Sequence, residues 1–348
     1  MENDILKKSY IKNEYFQAIR GICICICAVV LIHCQTGLSY KFEMFPNNIN
    51  YFYWIFSRQF LNFCVAIFFF LSGYFVNKEK VLCTTNGGYV KERFIRLCIP
   101  FLLWSFFYQS IRFFFAEKIN LIEICKSLFF IFSGNGEFHL YFIFVLLQLI
   151  LLTPLLLRRK NMAYVLIVLS IIFYLFRYFN LIWDNSIINN YSKCVFLPWV
   201  LFYLYGLFYN EGKNKNVFTN LIFAVFINVL EVILLTELKI SENFVITQMK
   251  LSSVLYAFAV IDLIMFLKDK VQPCKVLVKI GDLSFGIYFI HVFYNMIYNK
   301  FLSFFEFEIT NLLVMQVIQF TIVLCLSFFT VLVVRKYLPK ISKVLMGV

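Results

Sequence analysis

Residues 20–34 read RGICICICAVVLIHC, an apolar run that opens on Arg20 and carries His33 near its far end. Hydrocarbon disfavours both side chains, so each needs a structural or functional reason to be there. On a helix rising 1.5 Å per residue, His33 lies roughly 20 Å beyond Arg20. The run lacks a small-residue cleavage site. It therefore predicts an uncleaved membrane helix with Arg20 at the cytoplasmic edge and His33 in the outer half.

The composition indicates a membrane protein, because 62% of the 348 residues are hydrophobic and 15% are charged, against about 25% charged in ordinary soluble domains. The net charge of +13 comes from short basic clusters between apolar runs. No basic aromatic domain stands apart, so no nucleic-acid partner is predicted. The eleven cysteines lie mostly in apolar segments without a C-x-x-C pair. They are interpreted as packing residues, and no metal site is predicted.

Ten segments are long and apolar enough to be membrane helices, since a hydrocarbon core of about 30 Å needs about 20 residues per helix. The sixth is short and is interrupted by Pro198. A further apolar segment, 121–132, is too short to span and is predicted to be an interfacial helix. The ten predicted spans are 18–36, 52–76, 97–116, 138–157, 162–182, 194–210, 217–236, 248–267, 283–301 and 311–334.

The distribution of Lys and Arg predicts the orientation of this bundle. With ten helices, 22 of the 32 basic residues fall at the ends that share the side of the amino terminus, and nine fall on the opposite side. Cytoplasmic loops carry the excess of positive charge, so both termini are predicted to be cytoplasmic. No linker or soluble appendage interrupts the plan. The sequence thus predicts an all-α transmembrane bundle forming a single domain over residues 1–348.

Histidine and carboxylate side chains at membrane depth are candidates for proton transfer. Of three histidines, His33 and His139 fall in the outer half, and Glu137 precedes His139 at the start of the fourth helix. A neutral imidazole can be a general base or a hydrogen-bonded structural residue, and the sequence leaves both open. His33, His139 and Glu137 are the predicted catalytic residues. His291 shares a helix face with Ser284 and Tyr288 and is predicted to be hydrogen-bonded within the bundle.

Several cations and carboxylates remain to be placed. Arg93 and Arg96, three residues apart at the cytoplasmic mouth of the third helix, are either a positive-inside anchor or a clamp for the phosphates of coenzyme A. The two interpretations are compatible. Glu231, Asp262 and Arg112 lie deep in predicted helices and should each find a partner or a wet cavity. Arg177 lies near a helix end, from which it can reach the interface.

Six words of sequence, taken together in their order, resemble the acyltransferase 3 family of polytopic membrane O-acyltransferases. They extend from residue 14 to residue 291, nearly the whole chain. The words are EYFQAIRG through LIHC, FFLSGYF, an R-x-x-R before IPFLLW, HLYFIFVLLQLILLTP, LPWVLFYLYG and LSFGIYFIH.

The resemblance implies transfer of an acyl group, usually acetyl, from cytoplasmic acyl-CoA to a sugar hydroxyl. The implied acceptors are cell-envelope or exported polysaccharides and their lipid-linked precursors. Arg20 and His33 match the first-helix Arg and His of the family, and Arg93 and Arg96 match the R-x-x-R thought to hold the donor. Abundant Phe, Ile, Lys and Asn is typical of an AT-rich bacterial genome, so a multi-pass protein of the bacterial cytoplasmic membrane is expected.

The spacing between Arg20 and His33 departs from the family pattern. Relatives usually have ten residues between this Arg and His, and this chain has twelve. Eleven helical steps return to within about 20° of the start, whereas thirteen leave the two side chains about 140° apart. Either the helix begins after Arg20, or a π-bulge in ICICIC absorbs residues, or Arg20 faces away from the site.

The resulting hypothesis has Arg93 and Arg96 holding the donor phosphates, with Arg20 assisting, and His33 deprotonating the acceptor or relaying the acyl group. The alternative is a saccharide or lipid-linked saccharide exporter or flippase without acyl transfer, since polar residues at midplane suit transport equally well. Against it, the sequence has no internal repeat of the kind common in transporters. The acceptor sugar, the acyl chain and the oligomeric state stay open.

Overall fold

A computed structural model describes residues 13–27, 33–34, 49–83, 87–115, 120–180, 191–210, 216–305 and 312–347. Every regular element in these ranges is helical, as expected in hydrocarbon, where a helix satisfies its own backbone groups. The helices are α1 (13–27, with Ile22–Cys27 π-helical), α2 (Ile49–Leu61), α3 (Phe63–Tyr74), α4 (Lys78–Cys83), α5 (Gly88–Phe114), α6 (Leu121–Phe132), α7 (Tyr141–Arg158), α8 (Lys160–Asn180), α9 (Leu197–Leu207), α10 (Val217–Glu237), α11 (Glu242–Val245), α12 (Leu251–Leu267), α13 (Lys275–Phe305), α14 (Leu312–Tyr337) and α15 (Pro339–Met346).

Seven helical segments in the described ranges are long and apolar enough to cross a membrane. They coincide with seven of the ten predicted spans, so the chain is a helical membrane protein. The predicted sixth and eighth spans correspond to shorter apolar helices, Ser192–Leu207 and Leu251–Leu267. The predicted first span includes residues outside the described ranges. The count of ten and the cytoplasmic termini stay predictions.

Three local expectations can be compared with the structure. Pro198 lies in the first turn of α9, where its missing N–H costs nothing, so it starts this helix instead of interrupting it. Helix α6 is amphipathic and largely exposed, in keeping with an interfacial position. Arg177 does not reach outward, because its side chain is buried and its Nη1 donates to Ser192 Oγ at 2.7 Å.

The chain forms two compact units. Unit 1 comprises Met1–Ile67, Gly212–Ser342 and Val348, and unit 2 comprises Phe68–Glu211 and Lys343–Gly347. In unit 1, α13 packs against α1 and α14, and α10 packs against α12. In unit 2, α5 packs against α7, and α8 packs against α9. The single domain over residues 1–348 stays a prediction.

Two of the deep charges have the partners that their depth requires. In unit 1, the Glu231 carboxylate accepts a short hydrogen bond from Ser252 Oγ and lies 4.0 Å from Lys250 Nζ. In unit 2, Arg112 Nη2 lies 3.1 Å from Glu137 Oε2. Pairing of this kind removes most of the penalty that an isolated charge pays in an apolar environment.

Candidate active site

Two histidines meet inside unit 1. His33 Nδ1 lies 2.6 Å from His291 Nε2, a hydrogen-bonding distance, and the two imidazole planes are only 12° apart. His291 is fully buried in α13, while His33 is half-buried. The residue that the family resemblance selects as catalytic is therefore in direct contact with a second titratable ring. Sequence reasoning gave His291 a hydrogen bond within the bundle but did not name this partner.

A pair of glycines brings the helices that carry these histidines into backbone contact. A β-carbon on Gly21 of α1 would overlap the Leu277 carbonyl oxygen, and one on Gly281 of α13 would overlap the Gln17 carbonyl oxygen. Only glycine permits such an approach. Because Gly21 lies by α13 near Gly281 and His33 meets His291, the two chain segments run in the same direction.

The two contacts define the register between these segments. Eleven residues lie between Gly21 and His33, but nine lie between Gly281 and His291. In α-helical geometry the two extra residues would carry His33 about 3 Å too far along the axis. The stretch Ile22–Cys27 is π-helical, with wider turns that rise less per residue. Of the three readings of the long Arg20 to His33 spacing, a helix that begins after Arg20 is wrong, because α1 is helical from residue 13, and the π-helical geometry that the expansion requires is present at Ile22–Cys27. That this stretch absorbs the two extra residues stays a prediction.

Arg20 precedes this expansion on α1. Its guanidinium is half-buried, and Nη1 lies 3.4 Å from Gln17 Oε1, one turn earlier. Residues 28–32 lie outside the described ranges. A role for Arg20 in holding the donor stays a prediction.

The R-x-x-R pair belongs to unit 2. Arg93 Nη2 donates to the Ser72 carbonyl oxygen at 2.8 Å, and its side chain is half-buried. Arg96, one turn later on α5, is exposed. A guanidinium has five N–H donors in a fixed fork, so one bond to a carbonyl anchors Arg93 and leaves donors for an anion. Arg93 is thus oriented by the protein, while Arg96 is available to solvent or a ligand.

The Ser72 carbonyl belongs to the FFLSGYF motif, which packs on LPWVLFYLYG, another of the six motifs that resemble the family. A β-carbon on Gly73 would overlap the Tyr203 carbonyl oxygen, and one on Gly206 would overlap that of Phe70. Tyr203 is buried, and its hydroxyl lies 2.6 Å from Thr153 Oγ1. Four of the motifs are therefore linked within unit 2: R-x-x-R contacts FFLSGYF, FFLSGYF packs on LPWVLFYLYG, and LPWVLFYLYG contacts Thr153 of HLYFIFVLLQLILLTP.

Glu137 and His139 also belong to unit 2, apart from the unit that holds His33. The Glu137 carboxylate accepts hydrogen bonds from Arg112 Nη2 at 3.1 and 3.2 Å and from the Phe138 amide at 3.1 Å. The carboxylate therefore binds Arg112 and the Phe138 amide, and it does not orient the His139 ring directly. His139 is buried edge-on to the Tyr108 ring, with centroids 5.4 Å apart. Catalytic roles for His139 and Glu137 stay predictions.

The chain matches a known protein family. The family described as an acyltransferase domain, acyltransferase 3, matches residues 13–336, essentially the whole chain. Searches of curated proteins and of solved structures find no match. The matched range includes residues of both compact units, with the histidine pair and the R-x-x-R arginines inside it. The chain belongs to the acyltransferase 3 family of membrane acyltransferases.

Proposed function

We propose that the protein transfers an acyl group, expected to be acetyl, from cytoplasmic acyl-CoA to a hydroxyl of a cell-envelope or exported polysaccharide or its precursor. The observation that carries the proposal is the contact of His33 Nδ1 with His291 Nε2 at 2.6 Å. It engages one ring nitrogen of His33 inside the protein, so Nε2 is the atom assigned to proton transfer. Family membership supports acyl transfer in general.

His33 acts as the general base in this proposal. Its Nε2 takes the proton of the acceptor hydroxyl while the hydroxyl oxygen attacks the thioester carbonyl carbon. The tetrahedral intermediate then collapses, the carbon–sulfur bond breaks, and His33 returns the proton to the departing thiolate. The products are the O-acyl ester and free coenzyme A, and His33 ends each cycle in its starting protonation state.

Arg93 and Arg96 bind the donor phosphates. The Ser72 carbonyl fixes the guanidinium plane of Arg93, so less side-chain entropy is lost when its remaining donors bind an anion. Exposed Arg96 adds a second positive charge one helical turn away. Such pairs grip phosphate with charge-assisted, often bidentate, hydrogen bonds. The bacterial cytoplasmic membrane, where acyl-CoA is available on one side, is the proposed location.

The experiment uses membranes from cells expressing the chain and acetyl-CoA radiolabelled in the acetyl group. We expect label in the saccharide fraction, released by mild alkali because it is held as an ester. A matched reaction uses coenzyme A labelled in the adenine ring, which should leave no label in that fraction. A saccharide that crosses the membrane with no ester label, in the presence of inserted protein, would contradict the proposal and support the exporter alternative.

A further inference from the structure

The His291 ring is held from both nitrogens. Its Nδ1 lies 3.0 Å from the carbonyl oxygen of Ile287, one turn earlier on α13, and its Nε2 lies 2.6 Å from His33 Nδ1. The residue has no exposed surface. Ile287 O, His291 and His33 thus form a continuous series of hydrogen-bonding contacts that ends at the proposed base.

This series assigns the protons on both rings. A carbonyl oxygen can only accept, so His291 Nδ1 must carry a hydrogen and donate it to Ile287 O. Complete burial favours the neutral form of His291, which then has its lone pair at Nε2. An N–H···N bond needs one donor, so His33 Nδ1 must carry the hydrogen that His291 Nε2 accepts. Neutral His33 consequently has its own lone pair at Nε2.

The backbone of His33 is held by the same face of α13. Asn295, four residues after His291, donates from Nδ2 to the His33 carbonyl oxygen at 3.0 Å. Gln319 of α14 in turn donates to the Asn295 side-chain oxygen. Residues four apart on a helix lie one above the other, so α13 fixes both the ring and the main chain of His33. The amide pair makes the position of His33 depend on α13 and α14 together.

We propose that His291 is a positioning residue that sets the tautomer of His33 and so presents Nε2 to the acceptor hydroxyl. The inference rests on the proposed function. A backbone carbonyl here does what a carboxylate does in other histidine-dependent sites, where the third group orients the imidazole. When His33 gains a proton at Nε2, its Nδ1–H stays in place and bonds more strongly to the neutral His291 acceptor. No proton leaves His291 during the reaction.

The first test is spectroscopic and does not require turnover. The chain has three histidines, so protein labelled with ¹⁵N-histidine and reconstituted in bilayers gives a small set of ring nitrogen signals. The variants His139→Gln and His291→Gln assign them. We expect both His33 and His291 to be protonated at Nδ1 and unprotonated at Nε2 at neutral pH. Protonation of His33 at Nε2 in place of Nδ1 would overturn the inference.

The second test compares two replacements of His291 in the transfer assay. Gln offers a side-chain oxygen that can accept from His33 Nδ1–H, whereas Leu offers none. We expect His291→Leu to lower kcat by about 100-fold, within the usual range for general-base catalysis. The kcat of His291→Gln should be at least about tenfold higher than that of His291→Leu. KM for acetyl-CoA should be unchanged in both. Asn228→Leu, which replaces a fully buried polar residue of α10 by leucine, is the matched control for loss of a buried polar side chain.

Equal activity of the Gln and Leu variants, with both proteins inserted, would contradict the positioning role. Failure of this inference is distinct from failure of the proposed function. Transfer that depends on His33 while the spectra show His33 protonated at Nε2 overturns the tautomer assignment alone. Absence of any acyl transfer by the inserted parent protein overturns the proposed function, whatever the spectra show. Transfer that is indifferent to His33 overturns the role of His33 as the base and, with it, this inference.

Discussion

His33 and His291 are 258 residues apart in the chain, and their facing ring nitrogens lie 2.6 Å apart. This contact joins His33 to α13, and the contact of Gly21 with Gly281 joins α1 to the same helix nearer its start. Eleven residues lie between one glycine and its histidine and nine lie between the other pair, and Ile22–Cys27 within the longer spacing is π-helical. The longer spacing, from Gly21 to His33, thus faces α13, which is a regular α-helix.

The first prediction concerns that spacing. Deleting Ile24 and Cys25 leaves nine residues between Gly21 and His33, which equals the number between Gly281 and His291 on α13 and needs no π-helix. We expect transfer activity to stay within about threefold of the parent. Inserting a further Ile-Cys pair instead makes the difference four residues, about 6 Å of α-helix, and should lower activity at least tenfold.

The control for both length variants is Cys25→Ala, which keeps the length and should leave activity unchanged. Loss of activity on deletion together with tolerance of the insertion would mean that the register is set by something other than these two contacts.

The second prediction concerns the packing glycines. Gly281→Ala forces a β-carbon against the Gln17 carbonyl oxygen, and overpacking of this kind costs about 1–3 kcal/mol. We expect a lower melting temperature of the protein in detergent, measured by the loss of monodisperse protein on heating. Gly88→Ala is the matched control, because a β-carbon there meets nothing within 4 Å. An equal effect of the two variants would argue against the close approach of α1 and α13.

The third prediction concerns the donor. Arg93→Lys keeps the charge but gives up the guanidinium fork, so one ammonium cannot both bond to the Ser72 carbonyl and grip a phosphate in a bidentate manner. We expect KM for acetyl-CoA to rise about tenfold with a smaller change in kcat, measured with acceptor in excess. Arg158→Lys, at an exposed position at the end of α7, should change neither constant. Unchanged KM in Arg93→Lys would remove Arg93 from the donor site.

The fourth prediction concerns orientation and uses exposed cysteines in otherwise cysteine-free variants. Cys274 precedes α13 beside a basic cluster predicted to be cytoplasmic, and Cys125 lies on α6, predicted to be outside. A membrane-impermeant maleimide should label Cys274 only in inside-out vesicles and Cys125 only in right-side-out vesicles. The reverse pattern would invert the predicted topology.

The maleimide should also label Cys274 at pH values that are too low for labelling of an ordinary thiol. Hydrogen bonds from the backbone amides of Leu277 and Val276, at the start of α13, lower the pKa of Cys274. A lowered pKa leaves more of the reactive thiolate at any pH below the usual thiol range. The rate of labelling should therefore fall, as pH is lowered, at a lower pH than for a free cysteine in solution. A rate that falls at the same pH as for free cysteine would contradict the amide contacts.

The parts of the fold that follow from hydrocarbon thickness could be predicted from the sequence, because about 20 apolar residues are needed wherever a helix crosses. The first residues of helices that begin outside the hydrocarbon could not be predicted in this way. The ninth span is predicted from residue 283, but α13 begins at Lys275, since its first two turns carry polar residues that an apolar count passes over. These turns include Gly281, which sets the contact with α1.

The candidate site was predictable in its residue types but not in its pairings. His33 stands out in an apolar run, but its partner His291 is chosen by the packing of two distant helices, which no local pattern encodes. Glu137 was predicted to be catalytic beside His139, whereas in the fold its carboxylate binds Arg112. The π-helix was one of three readings, because a two-residue excess has several geometric solutions.

The most direct measurement of the central claim is acyl transfer from radiolabelled acetyl-CoA in membranes that contain the parent protein, His33→Ala or His139→Ala at equal levels. We predict ester-linked label in the saccharide fraction with the parent protein. His33→Ala should lose at least about 100-fold of it, the usual scale of general-base catalysis, and His139→Ala should keep more activity than His33→Ala. Full transfer by His33→Ala would contradict the assignment of His33 as the base.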